Sequence, residues 1–468
     1  MAWSAAALTA FIVSLAILRN PVQVTDALIP MLSVQNESPV VVFRTMVNEA
    51  SGLSRPLYWL EVKLLLDASR GNYFVAYKTF HLVFVAALFI LFVRAARVRS
   101  RDDTLAFLFA LVVLTGMHPF LGMVWEGYPV NHYLEIAVFS LGALVLCQSR
   151  GGWTADVGAA MLFVVASLTL DSGVLVWVVI FTARLIGLRG VSWRGVGIMT
   201  GLLAVYMLFR FGVLGIGVPD VGERASGFGF SRIEPAEIER RFVATGHLYY
   251  FYAYNIVSAL MSVFLSEPTS GQWLLTERLA NGDADPMVAT NVVSALVATG
   301  LIVWFALNRR AAWAARQFEH SDQLVIICAA VALGNAAMCF SYVKDEIMST
   351  AGVFYALAVF GATREALARW GQARWNTVAI TALTAILFAG SAAWTIRATG
   401  LQYQVLRIGT SDRYEWAHVD EWLEQQHRTP ATLEGQRLVK DLRAEAMRTR
   451  PLSVLFVPRW AVRWFIPE

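Results

Sequence analysis

Long apolar runs separated by short polar connectors set the pattern of this chain. A membrane helix needs about 20 mostly apolar residues, with a range of roughly 17–25. Runs near that length occur at 3–18, 73–93, 104–121, 131–147, 155–170, 172–187, 195–217, 248–265, 287–307, 323–341, 348–362 and 376–396. The first run has no basic segment before it and no small-residue cleavage pattern, so it reads as a retained span. No internal repeat is visible, which gives an inverted-repeat transporter no support.

The connectors sort by charge. Arginines crowd the segments 94–101, 150, 184–194, 309–316 and 364–374, whereas the alternate short connectors carry only Lys344. The positive-inside rule makes the arginine-rich connectors cytoplasmic. The alternation closes only if the region 218–286 begins and ends outside, with 248–265 re-entrant or interfacial. The expected fold is therefore an all-α polytopic membrane bundle of about eleven transmembrane helices. Its N-terminus is inside. The module spans 1–396, and the tail 397–468 forms a small extracytoplasmic cap.

The first outer loop, 19–72, has its own periodicity. Val40, Val41, Phe43, Met46 and Val47 alternate with Arg44, Asn48 and Glu49. Leu57, Leu60, Leu64 and Leu65 fall at helical spacing, with Glu61, Lys63 and Asp67 opposite, and Pro56 suits a first helical turn. Both segments read as helices lying in the interface plane. In the tail, Trp416, Val419 and Trp422 are spaced for one helical face.

Composition agrees with the pattern. The chain is 57% hydrophobic and 15% charged, against about 25% charged in soluble domains, and its mean hydropathy is +0.55. Cys147, Cys328 and Cys339 all sit in apolar runs and read as small core residues. No basic stripe points to nucleic acid. No zinc spacing, Walker A or GxSxG is present. Asp283-Ala284-Asp285 reads first as a helix-start turn before Pro286 and only second as a metal ligand.

Candidate chemistry gathers at the outer connectors. Asp26, just past the first run, is either an acid that deprotonates an acceptor hydroxyl or an N-cap for 27–32. Arg55 is either a bidentate phosphate ligand or a snorkelling surface arginine. Lys344 is a second phosphate candidate, or pairs locally with Asp345 or Glu346. The turn opened by His118-Pro119 holds Trp125, Glu126, Tyr128, Asn131, His132 and Glu135, a set suited to a sugar site or to an aromatic belt with helix caps. Asp171-Ser172-Gly173 is a candidate sugar contact or a tight hairpin turn.

The order of these features resembles the GT-C glycosyltransferases, in particular the protein O-mannosyltransferase branch and its tetratricopeptide-bearing transmembrane relatives. Four places carry the resemblance: Asp26; Arg55-Pro56-Leu57 followed by Tyr77 and Phe80-His81-Leu82; His118-Pro119 with Val124-Trp125; and Asp345-Glu346 with Ala351-Gly352-Val353-Phe354. Together they extend over about 350 residues. The chain departs from that pattern at Thr25, where a second acid is common, at Ile347, where an arginine is usual, at Gly122 and Met123, and at Asp171-Ser172.

The resemblance implies an inverting glycosyltransferase that moves a sugar from a polyprenyl-phosphate donor to an acceptor hydroxyl at the outer face. Asp26 would be the catalytic base, with Arg55 and Lys344 on the phosphate. His118, Trp125, Glu126, Tyr128, His132, Asp171 and Glu346 would hold sugar or acceptor. The implied partners are the lipid donor, membrane lipids and a glycan, lipid or protein acceptor. No cofactor is implied, and a divalent metal stays open. The expected location is a bacterial inner membrane, or the endoplasmic reticulum in a eukaryote. A lipid or polysaccharide transporter and a non-catalytic GT-C-like assembly subunit are the alternatives.

Overall fold

A computed structural model describes residues 1–48, 55–125, 130–214, 225–266, 270–283, 286–372 and 377–449. The described residues are almost entirely helical. The chain opens with α1 (Ala2–Leu18), a π-turn (Val24–Leu28), α2 (Ile29–Val34), α3 (Pro39–Asn48) and α4 (Pro56–Ser69). Then come α5 (Tyr73–Ala96), α6 (Arg101–Gly116), α7 (His118–Trp125), α8 (His132–Cys147) and α9 (Trp153–Thr169). After the 3-10 turn Asp171–Gly173 follow α10 (Val174–Leu185) and α11 (Trp193–Met207), the latter running on as a π-helix to Val213. A hairpin, β1 (Ser226–Phe228) and β2 (Ser231–Ile233), precedes α12 (Pro235–Ile238), α13 (Leu248–Phe264), α14 (Leu274–Ala280) and α15 (Pro286–Ala314). The chain ends with α16 (His320–Ala337), a 3-10 turn (Asp345–Met348), α17 (Ser349–Gln372), α18 (Thr377–Ala417), α19 (Val419–Gln425) and α20 (Leu433–Arg448).

The all-α, multi-pass expectation holds in its coarse form. Among the described residues five helices are long and apolar enough to cross a membrane, and α6 with α7 makes a sixth if that pair, bent by 75°, is one span. The expected count of about eleven is not reached on length, because α1, α8, α9 and α13 are apolar but only 16 or 17 residues long.

One end of the bundle is an interlock of the arginine-rich connectors. Arg309 binds Asp322 through Nε and Nη2, at 2.9 and 2.7 Å, and Arg364 donates to Ser321 Oγ at 2.6 Å. The Gln148 amide reaches Ala95 O, Ser192 Oγ donates to Asp156, and Gly190 N–H donates to Cys147 O. These connectors therefore share one face, as their charge predicts.

A hairpin and a loop that flank α13 in sequence pack together beside it. Gly229, at φ +60°, turns the hairpin, a conformation glycine adopts at no steric cost. Gly227 N–H donates to Ser270 O, and the Tyr254 hydroxyl bridges Gly229 N and Gly271 O. The strand before α13 and the loop after it thus meet beside α13.

A second hydrophobic core lies beyond the other end of the bundle. Val24, Leu28, Met31, Tyr58, Val62 and Leu66 of the first loop pack with Trp416, Val419, Leu423, Leu438 and Leu442 of the tail. Trp416, Val419 and Trp422 all pack on this core, but from two helices, since α18 ends at Ala417 and α19 starts at Val419, where one helical face was expected. Two further details differ from expectation. α18 is one helix of 41 residues, about 60 Å long at 1.5 Å per residue, so the boundary at 396/397 falls inside it. On α4 the buried stripe is Tyr58, Val62 and Leu66, while Leu64 is exposed. Lys63, expected on the polar side, is buried, with Nζ 3.0 Å from Gln35 O and 2.8 Å from Asp67.

Candidate functional site

The bend between α6 and α7 creates the site's floor. A broken helix leaves carbonyls unsatisfied, and side chains from four other elements collect them. Arg397 Nε donates to Gly116 O at 3.2 Å. Ser349 Oγ donates to Pro119 O at 2.7 Å, and Asn131 Nδ2 to Gly122 O at 2.8 Å. His81 Nε2 lies 2.9 Å from Met123 O and donates to it. Asn131 also caps α8, its Oδ1 accepting from Leu134 N–H at 2.9 Å.

α4, α8 and the 344–346 turn meet above that floor. Tyr58 on α4 sets its ring edge-on to His132 on α8, centroids 5.8 Å apart. His132 is fully buried, and both Arg55 and Lys344 lie within electrostatic reach of it. Lys344 Nζ is 3.8 Å from Glu346 Oε2. The turn is fixed by Ser270 N–H on Asp345 Oδ1 at 2.9 Å and by Ser349 Oγ on Glu346 O at 2.6 Å. Its backbone runs against Gly122, where a Cβ would come within 2.6 Å of Glu346 Cβ. Four of the predicted residues, Arg55, His132, Lys344 and Glu346, are thereby brought together.

Asp26 hangs from the same outer layer but in a different neighbourhood. Its π-turn is anchored by Val24 and Leu28 in the second core, and its own side chain is exposed. Trp416 Nε1 donates to Val22 O close by. The carboxylate lies in electrostatic reach of Glu415. Burial, with Glu415 adding and Lys78 opposing, pushes Asp412 up to about 7.

Asp171 is engaged elsewhere. It accepts from the Tyr206 hydroxyl at 2.6 Å and pairs with Arg210, which the π-helix at the end of α11 turns inward. His118 starts α7 beside Arg397. Trp125 ends α7, and its side chain, with Glu126 and Tyr128, lies outside the described residues, as does the Ala284-Asp285 half of the DxD. No group of three His, Cys, Asp or Glu side chains is placed to hold a metal among the described residues.

Two features were not predicted, the burial of Arg397 and the pairing of Glu61 with Glu135. Arg397 is 3% exposed, lies 4.2 Å over the Trp394 ring and donates to Ser294 Oγ at 2.9 Å. Glu61 and Glu135 bring their carboxyls together across α4 and α8. Burial, with the Glu135 hydrogen bond opposing, raises Glu61 to about 7. The signal for the pair was present as two matching spacings, Tyr58-x-x-Glu61 and His132-x-x-Glu135. Comparison with protein-family models, curated proteins and solved structures finds no match.

Proposed function

We propose that this chain is an inverting glycosyltransferase of the outer membrane face, using a polyprenyl-phosphate sugar as donor. On this reading about eleven helical segments span the membrane, with the arginine-rich connectors in the cytoplasm and the first loop and tail outside. The single observation that carries it is the convergence of Arg55 and Lys344, from segments nearly three hundred positions apart, on buried His132 at the end of the bundle opposite the arginine interlock.

In the transfer the acceptor oxygen forms a bond to the anomeric carbon as the bond from that carbon to the phosphate oxygen breaks. The electron pair leaves on the phosphate, which gains one negative charge, and the acceptor proton passes to a carboxylate. Arg55 and Lys344 stand where that charge develops, and preorganised cations there are a large catalytic term. This reading makes Asp26, an exposed acid of the first loop, that carboxylate. His118 and Glu346 border the sugar.

Purified protein incubated with radiolabelled polyprenyl-phosphate sugars tests this reading. Transfer or hydrolysis, lost in Asp26→Asn with folding intact, supports it. Binding without turnover points to a carrier or an assembly subunit, and full activity of Asp26→Asn removes the base assignment.

A further inference from the structure

The Glu61–Glu135 pair has no role in the reaction just described, yet it sits inside its site. Tyr58 and Glu61 on α4 are three residues apart, as are His132 and Glu135 on α8, so each pair shares one helix face. The faces oppose one another: ring on ring for Tyr58 and His132, carboxyl on carboxyl for Glu61 and Glu135. Glu135 is 1% exposed. With both groups written as carboxylates, neither Glu135 oxygen has a hydrogen-bond donor, and nor does Glu61 Oε2. Glu135 is shut off from water and the Glu61 oxygen facing it is buried, so ionising both abutting carboxyls is unfavourable and one proton between them gives each a partner.

The charged groups nearby sit on the elements around the pair, and Arg55 and Lys344 reach it by way of His132, one turn from Glu135. α4 and its N-cap bring Arg55, and Lys63 already held by Asp67. α8 brings His132. The 344–346 turn brings Lys344, Glu346 and Asp345, the last bound to Ser270 N–H. α5 contributes the Tyr77 hydroxyl, spent on Val62 O, and His81, spent on Met123 O. Beyond α9, Asp171 is neutralised by Arg210.

We propose that Glu61 and Glu135 hold one shared proton that sets the charge of the mouth offered to the donor phosphate. The inference rests on the polyprenyl-phosphate reading above. With the proton in place, Arg55 and Lys344 face Glu346, Asp345 and one carboxylate of the pair. Without it an extra negative charge faces the phosphate and repels it. The two glutamates are positioning residues, acting on the donor through the field at Arg55 and Lys344.

The test is binding of farnesyl phosphate, with farnesol and inorganic phosphate as controls, to the full-length protein from about pH 5.5 to about pH 8.5. The wild type binds about tenfold more weakly at the alkaline end than phosphate titration alone produces. Glu61→Gln and Glu135→Gln flatten that fall and keep alkaline affinity. The phosphate's own titration is common to all three proteins, so the difference between profiles is the readout. A wild-type profile that both variants reproduce overturns the proposal and leaves the donor reading standing. No preference for farnesyl phosphate over farnesol at any pH overturns both. Where the variants do not fold, infrared spectroscopy of the wild type decides: a protonated-carboxyl stretch that titrates near neutrality supports the pair, and its absence overturns it.

Discussion

Asp171 and Arg210 form an ion pair across 39 positions of chain, joining the turn after α9 to the π-helix that ends α11. The arginine is 7% exposed at its side chain and the aspartate 35%. The Tyr206 hydroxyl donates to the same carboxylate oxygen. Removing the aspartate leaves the buried guanidinium without its carboxylate, with the Tyr206 hydroxyl still in reach, and breaking a buried pair on one side costs more than the pair itself contributes. Allowing for the exposed side of Asp171, Asp171→Asn lowers stability by about 1–3 kcal/mol. Arg210→Met in the same chain recovers part of that loss. Thermal unfolding of the two single variants and the double variant measures the coupling. Turnover of the folded fraction stays within about twofold, the mark of a structural tie and the opposite of what a sugar ligand would show.

If, as proposed, Arg55 and Lys344 act on the same phosphate, their effects are not additive. Each of Arg55→Met and Lys344→Met raises the donor KM about tenfold, and the double variant raises it by less than the product of the two. Lys344→Arg retains much of the affinity because the charge stays. Arg55→Lys retains less, since a point charge replaces a planar fork. Donor titration by initial rates, or by farnesyl phosphate binding, reads all four.

The sequence disclosed what depends on period and sign. Apolar runs placed most of the helices, and connector charge put Arg309, Arg364 and their neighbours on one face. Val419 and Trp422 marked the packed side of α19, whereas Trp416 belongs to the end of α18. What stayed hidden depends on which helices meet. Glu61 on the charged side of α4 looked solvated, and only the packing of α4 on α8 buries it against Glu135. Lys63 looked solvated for the same reason until Gln35 O and Asp67 enclosed it. Arg397 falls at the first position of the expected tail, just past the last apolar run, but α18 runs straight on and carries it to Gly116 O. Asp171 looked like a site acid because its partner Arg210 lies inside another apolar run.

Stability should fall with rising pH at the junction of α18 and α5. Asp412 titrates near 7 in the folded protein, far above its unfolded value, so the folded state holds a proton the unfolded state has lost. The resulting stabilisation is complete below the usual carboxylate range and disappears as pH rises through about 7. Asp412→Asn removes this slope and gains about 1–3 kcal/mol relative to wild type at alkaline pH. Lys78→Met has the opposite effect, because Lys78 is the cation that favours the ionised form. Melting temperatures from mildly acid to mildly alkaline buffer check the sign. A wild type that becomes more stable across that range contradicts it.

Gly122 offers the sharpest control on the geometry of the mouth. A methyl group there would sit 2.6 Å from both Cβ and Cγ of Glu346 and 3.0 Å from its Cα. The flexible end of the glutamate cannot relieve this, since the near atoms belong to the stem and backbone. Nor can the turn slide away freely, because Ser349 Oγ holds it to Pro119 O and Ser270 N–H holds Asp345. On the other side Asn131 holds Gly122 O. Gly122→Ala must therefore push α7 and the 344–346 turn apart, at a cost of about 1–3 kcal/mol for overpacking. That movement draws Lys344 away from His132 and Arg55, so donor affinity falls together with stability. Gly197 and Gly201 on α11 meet nothing within 4 Å at the same test. Alanine at either position is neutral or stabilising by about 0.5–1 kcal/mol and leaves donor binding unchanged. Parallel melting and donor-binding curves for the three variants separate the two cases. A Gly122→Ala protein that binds donor as well as Gly197→Ala would mean that the 344–346 turn does not position the phosphate.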